Sequence, residues 1–136
     1  MNKIQQGATS AIIVNENDEV LFLLRSDDDD FLPGNWDIPG GGLDYGEEPE
    51  EGLRREIMEE CGLEIESMRL IKVSTYFMHE IQRIDVSYIC KLKDVSKIKL
   101  SPEHVDFKWV KFEDIDAINP NNYIKNIVLS AKENLG

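Results

Sequence analysis

Residues 41–63 read GGLDYGEEPEEGLRREIMEECGL, and this stretch contains the most specific spacing in the sequence. Positions i, i+3 and i+4 of an α-helix share one face, so Glu56, Glu59 and Glu60 crowd one side of a single turn. Like charges at this spacing repel each other by about 0.2–0.5 kcal/mol per pair. A solvated acidic face tolerates such repulsion, whereas a site for a hard cation such as Mg²⁺ explains it, because Mg²⁺ takes oxygen ligands. Spacing alone leaves both interpretations open.

The same stretch predicts a helix of about 13 residues with a separate apolar side. Pro49 is favoured at the first helical position, Glu48 precedes it as the N-cap, and Gly62 is a typical residue after the last turn. Three apolar residues recur at helical spacing and should pack against a sheet: Leu53, Ile57 and Cys61. The glutamates therefore project from a helix that is anchored by its other side.

The rest of the chain consists mainly of predicted strands and ends in a second helix. Ala8–Val14 and Val20–Arg25 are apolar, and the turn residues between them predict a hairpin. Ser26–Gly42 contains several Pro and Gly residues and predicts a long loop. Further strands are predicted at Leu70–Phe77, Ile84–Leu92 and Phe107–Val110, a helical turn at Phe112–Ile118 and a helix at Asn121–Leu135. This order predicts a fold of the α/β (α+β) class.

Composition favours one compact domain over residues 1–136, with a hydrophobic content of 41% that suffices for a core. No apolar run approaches the ~20 residues of a membrane helix. The N-terminal MNKIQQGATS lacks a hydrophobic signal segment, which predicts a cytoplasmic protein. Cys61 and Cys90 lack the spacing of a zinc or disulfide motif and are predicted to be reduced thiols. A net charge of −12 disfavours nucleic acid as a partner, yet it permits an anionic small molecule when a divalent cation lies between carboxylates and phosphates.

The stretch that begins at Gly41 resembles the Nudix box, the motif of the Nudix hydrolase family. That pattern is a glycine, five residues, a glutamate, seven residues and then Arg-Glu-U-x-Glu-Glu-x-Gly-U, in which U is aliphatic. All nine specified positions match, in Gly41, Glu47 and the run Arg55-Glu56-Ile57-Met58-Glu59-Glu60-Cys61-Gly62-Leu63. The preceding Trp36-Asp37-Ile38-Pro39-Gly40 is similar to the usual approach to the box. The order of elements is similar to that of the family's whole domain, although outside the box the likeness is loose.

The resemblance implies a Nudix α/β/α sandwich with a mixed β-sheet between helices. It also implies hydrolysis of a nucleoside diphosphate linked to another group, with Mg²⁺ or Mn²⁺ as the cofactor. By position, the implied metal ligands are Glu56, Glu59, Glu60 and the carbonyl of Gly40. We predict a cluster of about two or three ions with substrate bound, because such ions neutralise charge that develops on phosphate oxygens.

The same match implies three residues that support the site structurally: Gly41, Glu47 and Gly62. Arg55 resembles the arginine that orients neighbouring carboxylates through bidentate bonds, and we count it with the catalytic residues. A base must take the proton of the attacking water, and Glu56 and Glu103 both remain candidates. Glu103 lies on a loop ahead of Trp109-Val110, where family members often place a base or a further metal ligand. The adjacent His104 is predicted to be an ordinary surface residue.

Substrate-binding residues have no motif of their own. Arg25 ends the second strand near the glycine turn and is a candidate for a phosphate contact, or equally a surface cation among the aspartates that follow. Trp36 is a candidate for stacking on a base, and the alternative is that it packs within the protein. Tyr76 and Phe77 either line a base pocket or belong to the core of their strand. Tyr45, inside the box, is open to either role.

The small members that this chain resembles are the MutT-like enzymes, so nucleoside triphosphates are the first predicted substrate class. Nucleotide sugars and dinucleoside polyphosphates stay open as alternatives. A second hypothesis is a Nudix domain that senses a nucleotide without cleaving it, although every box glutamate is present. A third, hydrolysis at an RNA 5′ end, is disfavoured by the acidic charge. The oligomeric state also stays open, homodimers being common in the family.

Overall fold

The computed structural model describes residues 3–135, so Met1, Asn2 and Gly136, at the ends of the predicted domain, lie outside the described residues. Within this range the strands are β1 (Ile4–Ile13), β2 (Glu19–Arg25), β3 (Trp36–Asp37), β4 (Gly40–Gly42), β5 (Ile65–Met78), β6 (Ile81–Leu92) and β7 (His104–Lys111). The helices are α1 (Pro49–Cys61), α2 (Asn122–Lys132) and two 3₁₀ helices, Val95–Lys97 and Phe112–Ile118. No helix in the described range has the length and apolar character needed to cross a membrane.

The strands form two sheets. One is mixed, in the order β4-β1-β6-β5 with β1 and β6 parallel, and the other is antiparallel, in the order β3-β2-β7. The predicted hairpin of the first two strands is wrong, because β4 and β6 occupy both edges of β1 and only the isolated Val14–Val20 bridge joins β1 to β2. The predicted loop Ser26–Gly42 likewise contains two short strands, β3 and β4, which pair with β2 and β1.

Side chains of β1 and β2 alternate between two buried faces, as the pleat of a strand requires. The face toward α1 buries Ala11, Ile13, Leu21 and Leu23 together with Leu53, Ile57 and Cys61 of that helix. The opposite face buries Ile12, Val20 and Phe22 together with Ile124, Ile127 and Val128 of α2. The strands therefore lie between the two α-helices, which confirms the predicted α/β/α sandwich with a mixed sheet.

Helix α1 has the predicted bounds, and local signals at both ends explain them. Pro49 occupies the first helical position, and the backbone N–H of Glu48 donates to the Glu51 carboxylate at 3.3 Å. Gly62 adopts φ 70° after the last turn and donates to the Met58 carbonyl at 3.0 Å. Because the apolar stripe faces the sheet, the helix has a fixed rotation about its own axis, and this rotation determines where its glutamates point.

The two cysteines belong to the packed interior. Cys61 ends α1 and Cys90 lies on β6, and both are buried free thiols, as predicted. Burial raises the pKa of each thiol to about 12, so neither is ionised at neutral pH. The thiols therefore serve as small apolar groups in the core.

Candidate active site

A cavity lined by carboxylates opens between the glycine strand β4 and helix α1. We call it the carboxylate cavity. Its wall includes the three glutamates of α1, the glycines of β4 and one residue of the loop before β7: Glu56, Glu59, Glu60, Gly40, Gly41, Gly42 and Glu103. The structure thus brings together every predicted metal ligand and both candidate bases. Their chemical roles stay predictions.

Arg55 connects the carboxylates on one side of this cavity. Its Nε and Nη2 donate to the two oxygens of Glu47 at 2.8 and 2.9 Å, and its Nη1 donates to Glu56 at 3.0 Å. Nη2 also donates to the Gly42 carbonyl at 3.2 Å, which joins α1 to β4. The hydrogen bonds from Arg55 lower the pKa of Glu47 to about 2, so Glu47 is ionised at neutral pH. One guanidinium therefore fixes the position of Glu56 relative to the glycine strand.

Glu60 is the most enclosed of the three helix glutamates, with 6% of its surface exposed. Its Oε1 accepts a hydrogen bond from the backbone N–H of Gly40 at 2.8 Å. Burial raises the pKa of Glu60 well above its usual range, although the N–H of Gly40 opposes the change. A buried carboxylate with a single backbone donor has capacity for a further electropositive partner.

His104 lies beside Glu60, with 3.7 Å between His104 Nε2 and Glu60 Oε2. The prediction of an ordinary surface histidine is wrong, because β7 begins at His104 and pairs it with Arg25 of β2, which buries it. Burial lowers the pKa of His104 to about 4, so the imidazole is neutral at neutral pH. His104 and Glu60 therefore form a polar contact without an ion pair.

Glycine is required at two positions of β4, one that lies against β1 and one that lies against the Glu56 carboxylate. Gly40 has φ 144°, and a Cβ there would lie 2.2 Å from the carbonyl oxygen of Thr9 in β1. A Cβ on Gly41 would lie 2.8 Å from the Glu56 carboxylate. Because glycine has no Cβ, the β4 backbone can lie directly against β1 and against the carboxylates of α1.

The donor set of the carboxylate cavity suits a hard divalent cation. Carboxylate and carbonyl oxygens are the ligands that Mg²⁺ and Mn²⁺ prefer. The absence of a Cβ at Gly41 leaves the Glu56 oxygens open on that side. Among residues 3–135, no three His, Cys, Asp or Glu side chains converge as a preformed metal cage.

Glu103 reaches the cavity from a loop that is tied to two other elements. The backbone N–H of Ser26 donates to the Glu103 carbonyl at 3.0 Å, and the N–H of Ser101 donates to the Glu60 carbonyl at 3.3 Å. The Glu103 side chain is exposed. Burial raises the pKa of Glu56, with smaller contributions from the negative charges of Glu59 and Glu103, against the lowering effect of Arg55. Glu103 is therefore close enough to act electrostatically on the box carboxylates.

The two predicted substrate contacts, Arg25 and Trp36, are both engaged within the chain. Arg25 donates from each of its three nitrogens, to the Phe31 carbonyl, Asp37 and Asp29. Trp36 packs against the core beneath α2, and Lys108 Nζ lies 5.1 Å from its ring centroid. A substrate contact for either residue stays a prediction.

A second cavity, of about 240 Å³, adjoins the first and shares Gly40, Gly41 and Arg83 with it. We call it the aromatic cavity, because half of its lining residues have aromatic or large apolar side chains: Phe31, Leu32, Ile38, Tyr76, Phe77, Tyr123 and Ile124. The Tyr76 ring centroid lies 4.8 Å from that of Tyr123 and 6.2 Å from that of Phe31. Tyr76 and Phe77 therefore belong to a cavity wall.

Sequence reasoning missed the polar face of β6. Arg83 lines both cavities. Asp85 is buried and accepts hydrogen bonds from the hydroxyls of Tyr123 and Ser10, at 2.8 and 3.0 Å. A signal was present, because Arg83, Asp85 and Ser87 recur at every second position, between apolar residues. That pattern predicts a strand face with a polar role.

Comparisons with known proteins agree on one family. The NUDIX domain model matches residues 5–129. The nucleoside triphosphatase NudI of Escherichia coli (strain K12) is 35% identical over 112 residues, covering 74% of this chain and 79% of that protein. A solved MutT protein from Methanosarcina mazei Go1 has a TM-score of 0.87 at 27% identity, covering 100% of this chain and 99% of that one. A MutT NUDIX hydrolase from Burkholderia pseudomallei, at 21% identity, shows the same fold with a TM-score of 0.81, covering 93% and 97%.

The match is consistent with the geometry described above. It includes the full box, whose glutamates line one cavity with the glycine strand. It also includes both sheets apart from the first residue of β1, so the likeness extends well beyond the motif. The chain therefore belongs to the Nudix family and is a Nudix pyrophosphohydrolase.

Proposed function

We propose that this pyrophosphohydrolase acts on nucleoside triphosphates with Mg²⁺ or Mn²⁺ and releases a nucleoside monophosphate and pyrophosphate. The observation that carries this proposal is the junction of the carboxylate cavity and the aromatic cavity at Gly40, Gly41 and Arg83. A nucleotide has a planar base that suits aromatic walls and phosphates that suit a metal held by carboxylates. The name of a relative, the nucleoside triphosphatase NudI, supports this substrate class.

The metal would be held by Glu56, Glu59 and Glu60, with the Gly40 carbonyl as a further ligand. When bound, it supplies a Lewis acid that neutralises phosphate oxygens and makes water a stronger nucleophile. Arg55 prepares the site for this chemistry, because its contact at 3.0 Å keeps Glu56 against the glycine strand. Glu47 in turn holds Arg55 through two bonds, so Glu56 has a fixed position before substrate arrives.

We assign the proton acceptor to Glu103. The competing candidate, Glu56, accepts a hydrogen bond from Arg55 and is half-buried, whereas Glu103 is exposed on the cavity wall. In the reaction, the water oxygen attacks a phosphorus while Glu103 takes the proton, and the phosphoric anhydride bond breaks. Glu103→Gln should lower kcat by about 100-fold with little change in KM, whereas Glu113→Gln, in an exposed part of the chain, should change neither. An unchanged kcat for Glu103→Gln would instead assign the base to Glu56.

A turnover panel with Mg²⁺ tests the substrate class. Nucleoside triphosphates, nucleotide sugars and dinucleoside polyphosphates are incubated with the protein and the products identified. We expect triphosphates to give monophosphate and pyrophosphate. Cleavage of only the sugars or dinucleotides would contradict the proposed class.

A matched pair of variants tests the metal site. Glu59→Gln removes the charge of one oxygen ligand and should lower kcat/KM by about 100-fold, which corresponds to a loss of about 2.7 kcal/mol of transition-state stabilisation. Glu50→Gln, in the first turn of the same helix, should leave kcat/KM unchanged. If wild type and Glu59→Gln are equally inactive while nucleotide still binds, the sensing domain is the better description.

A further inference from the structure

Arg83 of β6 lies where the two cavities meet, since its side chain lines both. We propose, on the basis of the proposed function, that Arg83 binds the phosphate next to the sugar and positions the nucleotide between the two cavities. A nucleotide whose base lies in the aromatic cavity and whose outer phosphates lie among the carboxylates must pass Gly40, Gly41 and Arg83. In this placement the groups of the ligand nearest the junction are the sugar and the phosphate attached to it.

The two arginines that line the carboxylate cavity, Arg25 and Arg83, differ in the charge of their partners. Arg25 pairs with Asp37 at 2.7 Å and with Asp29 at 3.1 Å, so its charge is neutralised inside the protein. Its third nitrogen, Nε, donates to the backbone carbonyl of Phe31. Arg25 therefore secures the loop between β2 and β3, and its two carboxylate partners weaken its attraction for an anionic ligand.

Arg83 is held by neutral groups. Its Nε donates to Gln6 Oε1 at 2.9 Å and its Nη1 donates to the Tyr76 hydroxyl at 3.1 Å. Asp85, the carboxylate two positions along the same strand face, accepts from Tyr123 and Ser10. Within residues 3–135, Arg83 thus has two positioning contacts and no ion pair. Neutral groups determine its orientation, while its positive charge interacts with Asp85 electrostatically and without a direct ion pair.

The remaining nitrogen of Arg83 lies beside the glycine strand. A Cβ on Gly42 would lie 2.9 Å from Arg83 Nη2, so the absence of a side chain there leaves room for the guanidinium edge. That nitrogen has no hydrogen-bond partner in the described part of the chain. The structure therefore provides an oriented, unused donor at the border of the two cavities.

Phosphate is the ligand that this arrangement recognises best. Guanidinium groups bind phosphate oxygens through charge-assisted hydrogen bonds, which are stronger than those to neutral hydroxyls. The protein has a net charge of −12, and three box carboxylates line the cavity, so an approaching phosphate is repelled wherever no cation is present. A sugar hydroxyl is the other group near this point, and comparing ligands with and without phosphate separates the two.

Binding experiments without turnover test the proposal directly. Dissociation constants are measured by calorimetry for the four deoxynucleosides and their 5′-monophosphates, in EDTA so that no metal contributes. We expect Arg83→Gln to weaken monophosphate binding by about tenfold or more and to leave nucleoside binding unchanged. Arg83→Lys should keep part of the monophosphate affinity, because it retains the charge but loses the planar fork.

Two further variants serve as controls. Tyr76→Phe removes one anchor of Arg83 but keeps the aromatic ring, so it should show a smaller loss that is again confined to the monophosphates. Arg69→Gln, on β5, removes an arginine that donates to the Asn134 carbonyl and should change nothing. If Arg83→Gln does not fold, as judged by thermal unfolding, Arg83→Lys and Tyr76→Phe provide the same comparison.

The outcomes separate this proposal from the proposed function. Equal weakening of nucleosides and monophosphates in Arg83→Gln would assign Arg83 only to the shape of the aromatic cavity and overturn the proposal. No change in either ligand would overturn it as well, as would a wild-type protein that binds monophosphates no tighter than nucleosides. Binding of monophosphates that depends on Arg83, without turnover of triphosphates, would support the proposal and contradict the proposed reaction.

Discussion

The carboxylate cavity and the aromatic cavity share a border but differ in how the chain builds them. The implied metal ligands of the first come from one continuous stretch, Gly40–Glu60. The aromatic wall of the second combines Phe31 before β3, Tyr76 on β5 and Tyr123 on α2. Reactive groups on one continuous stretch have a fixed spacing along the sequence, whereas groups that folding brings together from distant elements have none. A motif therefore marks the site of the reaction, while the residues around the substrate's base have no pattern of their own.

The two cavities are also held by different forces. Arg55 joins Glu47, Glu56 and the Gly42 carbonyl, so charge-assisted hydrogen bonds determine the geometry of the carboxylate cavity. Ring packing and the buried Asp85, which accepts from Tyr123, hold the aromatic cavity. We expect changes in the first region to affect metal and catalysis, and changes in the second to affect nucleotide affinity and stability.

The largest effect is expected for Gly40→Ala, which breaks the close contact on which the carboxylate cavity depends. The new Cβ would lie 2.2 Å from the Thr9 carbonyl oxygen, and φ 144° is strained for alanine. We expect the unfolding free energy to fall by about 1–3 kcal/mol and kcat/KM by about 100-fold, because Glu60 loses its fixed position against β4. Gly46→Ala is the control, since Gly46 has φ 81° but open space around it. If both variants lose activity equally, φ strain alone explains the loss.

Arg55→Lys should have the next largest effect. Lysine keeps the charge but cannot reproduce the paired bonds to Glu47 at 2.8 and 2.9 Å together with the bond to Glu56. We expect the Mg²⁺ concentration at half-maximal activity to rise by about 10–100-fold, as for other residues that orient metal ligands. The matched control is Arg54→Lys, because the guanidinium of Arg54 donates to the Ile65 carbonyl and not to a carboxylate of the cavity. An unchanged Mg²⁺ requirement would contradict the role assigned to Arg55.

Tyr76→Ala tests the aromatic side of the comparison. Loss of a stacking ring should cost about 1–2 kcal/mol of nucleotide affinity, which raises KM by about 5–30-fold while kcat is unchanged. Tyr45→Ala removes a fully exposed tyrosine of the box loop and should leave both constants unchanged. A fall in kcat with an unchanged KM for Tyr76→Ala would place Tyr76 in the reaction and remove the distinction between the two cavities.

The smallest effect is expected for Asp85→Asn and appears as a change in pH dependence. Burial raises the pKa of Asp85 above its ordinary value of 3.8. The native state therefore binds this proton more tightly than the unfolded state, and the unfolding free energy falls as pH rises above that value. Asn cannot ionise, so the stability of the variant relative to wild type should increase as pH rises above 3.8, with a slope of at most about 1.4 kcal/mol per pH unit.

Chemical denaturation across this pH range measures the effect. Asp114→Asn, at an exposed position, provides the control and should show no comparable trend. A stability difference between Asp85→Asn and wild type that is independent of pH would show that the aspartate is ionised in the native state.

Local patterns predicted those parts of the fold that local chemistry controls. Helix α1 runs from Pro49 to Cys61 as expected, because a proline start, an apolar stripe and a glycine stop act within a few residues. The pairing of strands could not be predicted from local patterns, since β1 pairs in parallel with β6, more than half the chain away, and not with β2. The burial of His104 also depends on strands that are distant in sequence, because its strand, β7, pairs with β2.

The sequence by itself determined the carboxylate side of this protein. The spacing of Glu56, Glu59 and Glu60 is a property of the helix, and the glycines of β4 are required wherever the backbone approaches so closely. Only the tertiary structure decided which arginine has no carboxylate partner in a direct ion pair. Arg25 was the candidate from sequence, but its strand lies beside Asp37, whereas Arg83 is placed between neutral partners at the junction of the cavities. The reason is physical, because charge neutralisation and burial depend on which strands become neighbours.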